Sequence, residues 1–451
     1  MYPQNQFDPK ADALEIRRDT VLLIFVAAMM FLWSNGFNLR VFDISDRFKL
    51  LQLAGMFVIF SIGMHRLLSR PLARYLQYNY FRFIGGMLAA MLFPTFVYMV
   101  LINGLSPIDV FHAGLLYPGL FIFITLMSYK TDASFVPRLN RLIFAAMSGY
   151  ILFLIFLAQT PALADALLVK TSDRFDLVRI VISHGMGPFA IYAFCYTLVQ
   201  TTKGGHSLKE KTFYFSILLA YIWYFFTIAL GRRTMFVLLF ILGYYWFFHL
   251  RPVRKVQTAF AAVFLVIVLP FVFPQSTQVA YSVYSAYESS VVGFDEYEGG
   301  AKTRIEGMQY NLNLFQDTAY IGLGLLSNRL PVTDPYRYGR VHYRYHAGDH
   351  GLVAVLYRFG FPGLILTLFI LYQMFTDLNA IYRYGREEYR SIALSLHLYI
   401  VFCLAGLLQI FWKDNMSLWV GLMFFMVWRM RMETGKNGKE DSGTNQAMSF
   451  T

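Results

Sequence analysis

Charged residues are scarce in this chain of 451 residues: Asp, Glu, Lys and Arg together make up 15% of it, against about 25% in soluble proteins. Apolar residues make up 57%, and many of them lie in runs of about twenty, the length that crosses a bilayer. Several soluble cores could not bury so many long apolar runs. The composition therefore excludes a string of soluble domains and indicates a polytopic membrane protein.

Cysteine is nearly absent. Cys195 and Cys403 are the two in the chain, and both lie inside apolar runs. They form neither a CxxC pair nor a metal-ligand spacing, which excludes a disulfide framework. The chain also lacks a P-loop, a GxGxxG, a GxSxG and an HExxH motif. We therefore predict neither a metal site nor a cofactor.

Basic residues outnumber acidic ones, and the formal net charge of +12 could indicate a nucleic-acid-binding protein. The Lys and Arg residues lie, however, in short clusters between apolar runs. At such positions they act as topology signals and contact lipid headgroups. We therefore predict membrane lipid as a partner and no nucleic acid.

Each apolar run predicts a helix, because backbone groups in lipid must be bonded within their own segment. The sequence thus predicts an all-α fold with about twelve transmembrane helices and one large outer loop. The predicted spans are 20–39, 49–68, 81–102, 108–129, 141–160, 185–201, 211–231, 233–250, 255–274, 350–378, 391–412 and 416–431.

The Lys and Arg clusters fall in alternate loops, and the positive-inside rule then places both termini in the cytoplasm. The hydrophilic connection 275–349 falls on the outer side, and its length is typical of a functional loop. The chain is thereby divided into a cytoplasmic segment 1–19, helices one to nine over 20–274, the outer loop 275–349, helices ten to twelve over 350–431, and a disordered cytoplasmic tail 432–451.

Three features of the outer side carry candidate chemistry. Arg232 and Arg233 are adjacent in the tight turn between the seventh and eighth spans. Cations on this side oppose the insertion rule, which favours anion binding over simple snorkelling to the headgroups. Arg304 opens an amphipathic segment that ends at Gly322-Leu323-Gly324; its alternatives are anion binding and a surface ion pair of little worth.

The third feature is the segment 336–350, in which Tyr and Arg alternate before the chain re-enters the membrane. An interfacial aromatic belt would not explain the three His and one Asp that close it. Arg forks bind phosphate oxygens, Tyr rings stack on sugars, and His and Asp act as acids or bases. The candidate residues are Arg340, Arg344, Tyr343 and Tyr345 for binding, and His346, Asp349 and His350 for proton transfer.

Arg358 lies inside the tenth predicted span, eight residues after His350, or about 12 Å along a helix. An ionisable residue at such depth is a functional candidate by default. We expect its side chain to face the protein interior or a polar cavity.

These motifs resemble those of the O-antigen polymerase and ligase superfamily. Gly231-Arg232-Arg233-Thr234 resembles its Gly-Ser-Arg-Gly/Thr turn, and Arg304 with Gly322-Leu323-Gly324 resembles its Arg-led segment that ends in Gly-x-Gly. The stretch from Asp349-His350-Gly351 to Gly360-Phe361-Pro362-Gly363 resembles its re-entry motif. The resemblance covers about residues 211–378, together with the plan of twelve spans and one large periplasmic loop.

The resemblance implies a metal-independent glycosyltransferase of the bacterial inner membrane. Its donor would be an oligosaccharide on undecaprenyl pyrophosphate, and it would act at the periplasmic face. Arg232, Arg233 and Arg304 would stabilise the pyrophosphate leaving group. Asp349 or a neighbouring His would take the proton of the acceptor hydroxyl.

Two departures from the family pattern favour a Wzy-type polymerase of O-antigen or exopolysaccharide. Asp349 stands where the ligases carry His, and Arg358 stands where many members carry Glu. The Arg232–Gly243 and Arg340–Gly351 pairs also satisfy the Arg-x10-Gly spacing of such polymerases. A chain-length regulator and a flippase are then possible partners.

Three alternatives stay open at this point. The first is an O-antigen ligase, which uses the same donor but another acceptor. The second is a cell-wall glycosyltransferase of the shape and division family, with a catalytic Asp on an outer loop. The third, from a different class, is a lipid or polysaccharide transporter, which predicts broken helices near the midplane, paired intramembrane charges and an inverted repeat.

Overall fold

The computed structural model describes residues 9–33, 46–69, 78–102, 104, 106, 117–129, 131–160, 162–164, 171–174, 177–180, 186–229, 232–250, 252–256, 308–324 without 310, 314, 317 and 319, 351–406 and 417–447. Helices dominate this part of the chain. They are α1 (Pro9–Trp33), α2 (Asp46–Leu68), α3 (Asn79–Phe96), α4 (Ile122–Met127), α5 (Phe135–Ala158), α6 (Gly187–Thr202), α7 (Leu208–Trp223), α8 (Arg232–His249), α9 (Gly351–Tyr384), α10 (Glu387–Ala405) and α11 (Ser417–Ala447).

Short irregular elements extend this set of helices. Two π-helical turns, Val97–Ile102 and Tyr224–Ile228, continue α3 and α7, and a 3-10 turn, Tyr117–Phe121, precedes α4. Between α5 and α6 the chain forms a small antiparallel hairpin of β1 (Thr171–Arg174) and β2 (Leu177–Ile180). The all-α prediction is confirmed apart from this hairpin, which the sequence analysis did not predict.

Four of the described helices are long and apolar enough to cross a membrane: Asn79–Ile102, Phe135–Ala158, Gly351–Tyr384 and Glu387–Ala405. Two shorter apolar helices, Asp19–Leu32 and Val237–His249, accompany them. A multi-pass membrane protein is thus indicated, while the number of twelve spans and the outer loop 275–349 stay predictions. The last helix continues to Ala447, past residue 431, where the sequence predicted that a disordered tail begins.

The main hydrophobic core is centred on α6, whose side chains are buried along nearly its whole length. Trp419 of α11 is fully buried at its centre. The indole packs against the rings of Phe189 and Tyr192, both at 4.9 Å between ring centroids, and of Tyr399 at 5.4 Å. Aromatic pairs at this separation add about 0.5–1.5 kcal/mol beyond area burial, so this cluster fixes α6, α10 and α11 to one another.

A polar contact joins α3, α9 and α11 at one end of the bundle. Asp377 is buried, and its carboxylate accepts hydrogen bonds from the Tyr80 hydroxyl at 2.8 Å and the Gln373 amide at 3.1 Å. Arg431 completes an ion pair with it at 3.3 Å. A buried carboxylate is stable only with such partners, so Asp377 links α3, α9 and α11.

Candidate functional site

Of the predicted site residues, Arg358 is the one whose main chain and side chain are both described. The main chain of Arg232 and Arg233 forms the first turn of α8, as expected for a tight turn between two spans. The other predicted site residues lie outside the described part of the chain: Arg304, Arg340, Tyr343, Arg344, Tyr345, His346, Asp349 and His350. Their placement therefore stays a prediction.

Helix α9 is broken close to its N-terminal end. Gly360 has φ 68° and ψ −173°, which are not helical angles, and a positive φ of this size is readily adopted by glycine. The break leaves a short first segment, 351–359, and a long second segment, 361–384. At 1.5 Å per residue the second segment is about 36 Å long and can cross about 30 Å of hydrocarbon by itself.

The break frees main-chain carbonyls, and the chain around residue 323 satisfies them. Pro362 has no N–H, so it cannot donate the helical bond to the carbonyl of Arg358. The N–H of Gly324 donates to that carbonyl instead, at 2.6 Å, and the N–H of Leu323 donates to the carbonyl of Tyr357 at 3.0 Å. The segment 322–324 thus caps the C-terminal end of the first segment of α9.

The Arg358 side chain returns to the same segment. Its Nε donates a hydrogen bond to the carbonyl of Gly324 at 3.2 Å, and its guanidinium carbon lies 5.3 Å from the ring centroid of Phe359. The side chain is half-buried. We call this set of three hydrogen bonds, two from the main chain of 323–324 and one from Arg358, the re-entry clasp.

Three glycines make the re-entry clasp sterically possible. A Cβ on Gly322 would lie 2.5 Å from the carbonyl oxygen of Arg358, and one on Gly360 would lie 2.6 Å from the carbonyl oxygen of Ile321. A Cβ on Gly324 would overlap the main chain of Thr95 in α3. All three also have positive φ, so a side chain at any of them would be strained as well as crowded.

A small second hydrophobic cluster surrounds the re-entry clasp. It contains Tyr98, Phe315, Leu323, Ala354 and Tyr357, of which Leu323, Ala354 and Tyr357 are fully buried. These residues come from the π-helical end of α3, from the chain before the clasp and from the first segment of α9. The cluster therefore holds three separate parts of the chain against one another beside the clasp.

An apolar groove lies directly beside the re-entry clasp, between α3 and α9. Its volume is about 450 Å³, within the range of about 300–1,000 Å³ usual for small-ligand sites. It is lined by Gly86, Ala89, Ala90, Phe93, Pro94, Tyr320, Ile321, Phe359, Pro362 and Leu366. No pattern in the sequence predicted it, because its two walls are far apart along the chain.

The described residues contain no group of three or more His, Cys, Asp or Glu side chains placed to hold a metal ion. The amides of Leu323 and Gly324 donate to carbonyls of α9, so the surface that the groove offers to a ligand is mainly apolar. Such a surface suits the apolar part of a ligand.

Comparison with known proteins adds a family resemblance to this geometry. The apolar helices of membrane-crossing length indicate a multi-pass membrane protein. Residues 215–368 match the Wzy_C family model, described as O-antigen ligase. This match confirms the resemblance to the O-antigen polymerase and ligase superfamily, a family of glycosyltransferase-like enzymes that act on lipid-linked glycans. No curated protein matches the chain.

The matched segment coincides with the features that the sequence singled out. It includes α8, whose first turn carries Arg232 and Arg233, the whole re-entry clasp, and every predicted site residue up to Arg358. In the sequence, Gly322-Leu323-Gly324 and the Gly360 motif are two separate family signatures. The structure shows that they are one contact, since their main chains bond to each other.

Proposed function

We propose that the protein is a polysaccharide polymerase of O-antigen or exopolysaccharide. It joins oligosaccharide repeat units carried on undecaprenyl pyrophosphate, at the periplasmic face of the bacterial inner membrane. The observation that carries the proposal is that one matched segment, 215–368, contains all the candidate anion-binding and acid-base residues. In this proposal both termini are cytoplasmic and the loop 275–349 is periplasmic.

The proposed chemistry is a glycosyl transfer without a metal or cofactor. Arg232, Arg233 and Arg304 bind the pyrophosphate and stabilise the negative charge that develops as it leaves. Asp349 accepts the proton of the acceptor hydroxyl, with His346 and His350 as the other candidates for this role. The bond from the anomeric carbon to the pyrophosphate oxygen breaks, and a bond from that carbon to the acceptor oxygen forms.

The remaining candidates bind the glycan and the carrier. Arg340 and Arg344 offer planar donors to phosphate oxygens, and Tyr343 and Tyr345 offer ring faces to the sugars. The apolar groove beside the re-entry clasp suits the isoprenoid tail, because it is lined by apolar side chains between two helices long enough to cross a membrane. A flippase that delivers the donor and a chain-length regulator are the expected partners.

A ligase is the second candidate function, and the description of the matched family favours it. It shares the donor and differs in the acceptor, so the same arginines would serve. Two residues favour the polymerase: Asp349, which stands where the ligases carry His, and Arg358, which stands where many members carry Glu. A transporter is less well supported: α9 is broken, but near its end rather than at the middle of a span.

An Asp349→Asn variant tests the proposal and separates polymerase from ligase. The variant should lower the rate by about 10²–10⁴, the usual contribution of a general base. Glu388→Gln, which removes an exposed carboxylate at the start of α10, is the matched control and should leave the polymer unchanged. Both variants are expressed in a strain lacking the native gene, and glycans on the acceptor and on the lipid carrier are separated by gel electrophoresis.

The two functions give different products in the Asp349→Asn strain. A failed polymerase leaves single repeat units on the final acceptor, because a separate ligase still transfers them. A failed ligase leaves long polymer on undecaprenyl pyrophosphate and none on the acceptor. Long chains on the acceptor at wild-type amounts would remove Asp349 from the site and leave the two histidines.

A further inference from the structure

Arg358 was singled out as a cation at membrane depth, which suggests a ligand for the donor's phosphates. Its described contacts point to another role. The Nε atom donates to the carbonyl of Gly324, and the guanidinium lies beside the ring of Phe359. Both contacts are with residues of the protein itself, at or next to the re-entry clasp.

The re-entry clasp controls one short piece of helix. The first segment of α9, residues 351–359, is separated from the membrane-crossing segment by the non-helical Gly360. A helix of nine residues has little stability of its own, so its position depends on its contacts. Those contacts are the hydrogen bonds at 357–358 and the apolar cluster around Tyr357.

The other side of the re-entry clasp is fixed to α3. Gly324 lies so close to Thr95 that no Cβ fits between them, and Thr95 is fully buried. Arg358 therefore ties the first segment of α9, through Gly324, to a long helix of the bundle. The first segment begins at Gly351, directly after Asp349 and His350 in the sequence.

We propose that Arg358 is a positioning residue: its Nε–H holds the first segment of α9 on Gly324 and so sets the place of the acid-base residues that precede Gly351. The positive charge of Arg358 is not what the reaction uses. This inference rests on the proposed function, because it assigns the acid-base role to Asp349 or its neighbours. It replaces the sequence-based prediction that Arg358 binds the phosphates of the glycan donor.

Three substitutions separate the hydrogen bond from the charge. In Gln, the amide nitrogen is attached to Cδ, as Nε is in Arg, so Arg358→Gln keeps an N–H donor at that place and loses the charge. Arg358→Lys keeps the charge but has a carbon atom at that place. Arg358→Met keeps the side chain as far as the position of Nε and loses both the N–H donor and the charge. The matched control series is the same three substitutions at Arg383, an exposed residue in the last turn of α9.

Two measurements are made on the full-length protein. The first is the amount of polymer formed in cells at equal protein level. The second is amide hydrogen exchange of the purified protein over peptides that contain Leu323 and Gly324, which requires no activity. Loss of a charge-assisted hydrogen bond corresponds to about tenfold in an equilibrium constant. Exchange at these amides and polymer yield should therefore each change by about tenfold in the Lys and Met variants.

A positioning role predicts that Arg358→Gln stays within about threefold of wild type in both measurements, a range well below the tenfold loss of a hydrogen bond. Direct binding of the lipid-linked glycan by the charge of Arg358 predicts the opposite order: Arg358→Lys would be active and Arg358→Gln inactive, with amide exchange unchanged in both. This result would overturn the proposal. Normal polymer in all three variants would overturn it too. Neither result touches the polymerase assignment, which stands or falls with Asp349→Asn. If the Arg358→Met protein fails to accumulate, comparing Arg358→Gln with Arg358→Lys still shows whether the N–H group or the charge of Arg358 is needed.

Discussion

Gly324 offers the sharpest test of the fold around the site, because the Cβ of an alanine at this position would clash with main-chain atoms of Thr95. A Cβ at this position would overlap the N and Cα atoms of Thr95 and lie 2.5 Å from its Oγ1. Gly324 also has φ 66°. A left-handed conformation costs an L-residue about 1–2 kcal/mol, and overpacking of a tight contact costs about 1–3 kcal/mol.

The two costs predict that Gly324→Ala lowers the free energy of unfolding by about 2–5 kcal/mol. Gly149→Ala is the matched control: Gly149 lies in α5 with no atom within 4 Å of its would-be Cβ. Alanine there should stabilise the helix, by up to about 1 kcal/mol. Unfolding is followed by tryptophan fluorescence of the purified protein in detergent as temperature rises.

The origin of the effect is tested by a double substitution. Because two of the three close atoms belong to the main chain of Thr95, removing its hydroxyl in a Thr95→Ala background should restore little of the lost stability. An unfolding midpoint for Gly324→Ala equal to or above that of Gly149→Ala would refute the close contact. Full recovery in the double variant would refute the main-chain origin of the clash.

Three further predictions concern the donor site, the topology and the bundle. Arg233→Ala and Arg304→Ala should each abolish polymer at unchanged protein level, because a pyrophosphate needs fixed positive partners; normal polymer in both would refute the anion site. A cysteine at Ser327, in a background without cysteine, should react with an impermeant maleimide once the outer barrier is opened; labelling only after inner-membrane lysis would invert the topology. Asp377→Asn should cost about 1–3 kcal/mol in detergent unfolding, because its bonds to Tyr80 and Gln373 lose a charged acceptor; an unchanged midpoint would contradict it.

Apolar runs predicted the helices well where a run coincides with one element. The span predicted at 391–412 corresponds to α10, Glu387–Ala405, and the span at 185–201 to α6, Gly187–Thr202. Helix α5 begins at Phe135, earlier than the predicted 141, because Arg138 and Arg141 extend a helix while interrupting an apolar run. Hydropathy identifies the part of a helix that crosses the membrane and misses the turns beyond it.

The break in α9 shows what an apolar run conceals. The sequence predicted one span from 350 to 378, and the run is indeed apolar across Gly360. The signal for a break was present in Gly360-Phe361-Pro362, since Pro removes a helical donor and Gly permits a positive φ.

The contact between Gly324 and Arg358 could not be predicted from the sequence. The two residues are 34 positions apart, with a polar segment between them, and no periodicity relates them. The hairpin at 171–180 was missed for a related reason: its register pairs polar residues such as Ser172 with Arg179, and a search for apolar runs passes over such a segment. Pairing between distant segments depends on tertiary packing, which local patterns do not carry.

The re-entry clasp gives a physical reason for two glycine motifs in one chain. A break in a helix leaves carbonyls without their helical donors, and a buried carbonyl without a partner costs free energy. Two main-chain amides of 323–324 supply the donors, but they can approach only if no side chain intervenes, which requires glycine at 322 and 360. Glycine at 324 lets the same segment pack on Thr95 of α3. The contact therefore needs the glycines of segment 322–324 and Gly360 of α9 together. A substitution that closes one approach leaves carbonyls without donors on the opposite side, so the two motifs act as a single structural unit that holds the re-entry helix in place.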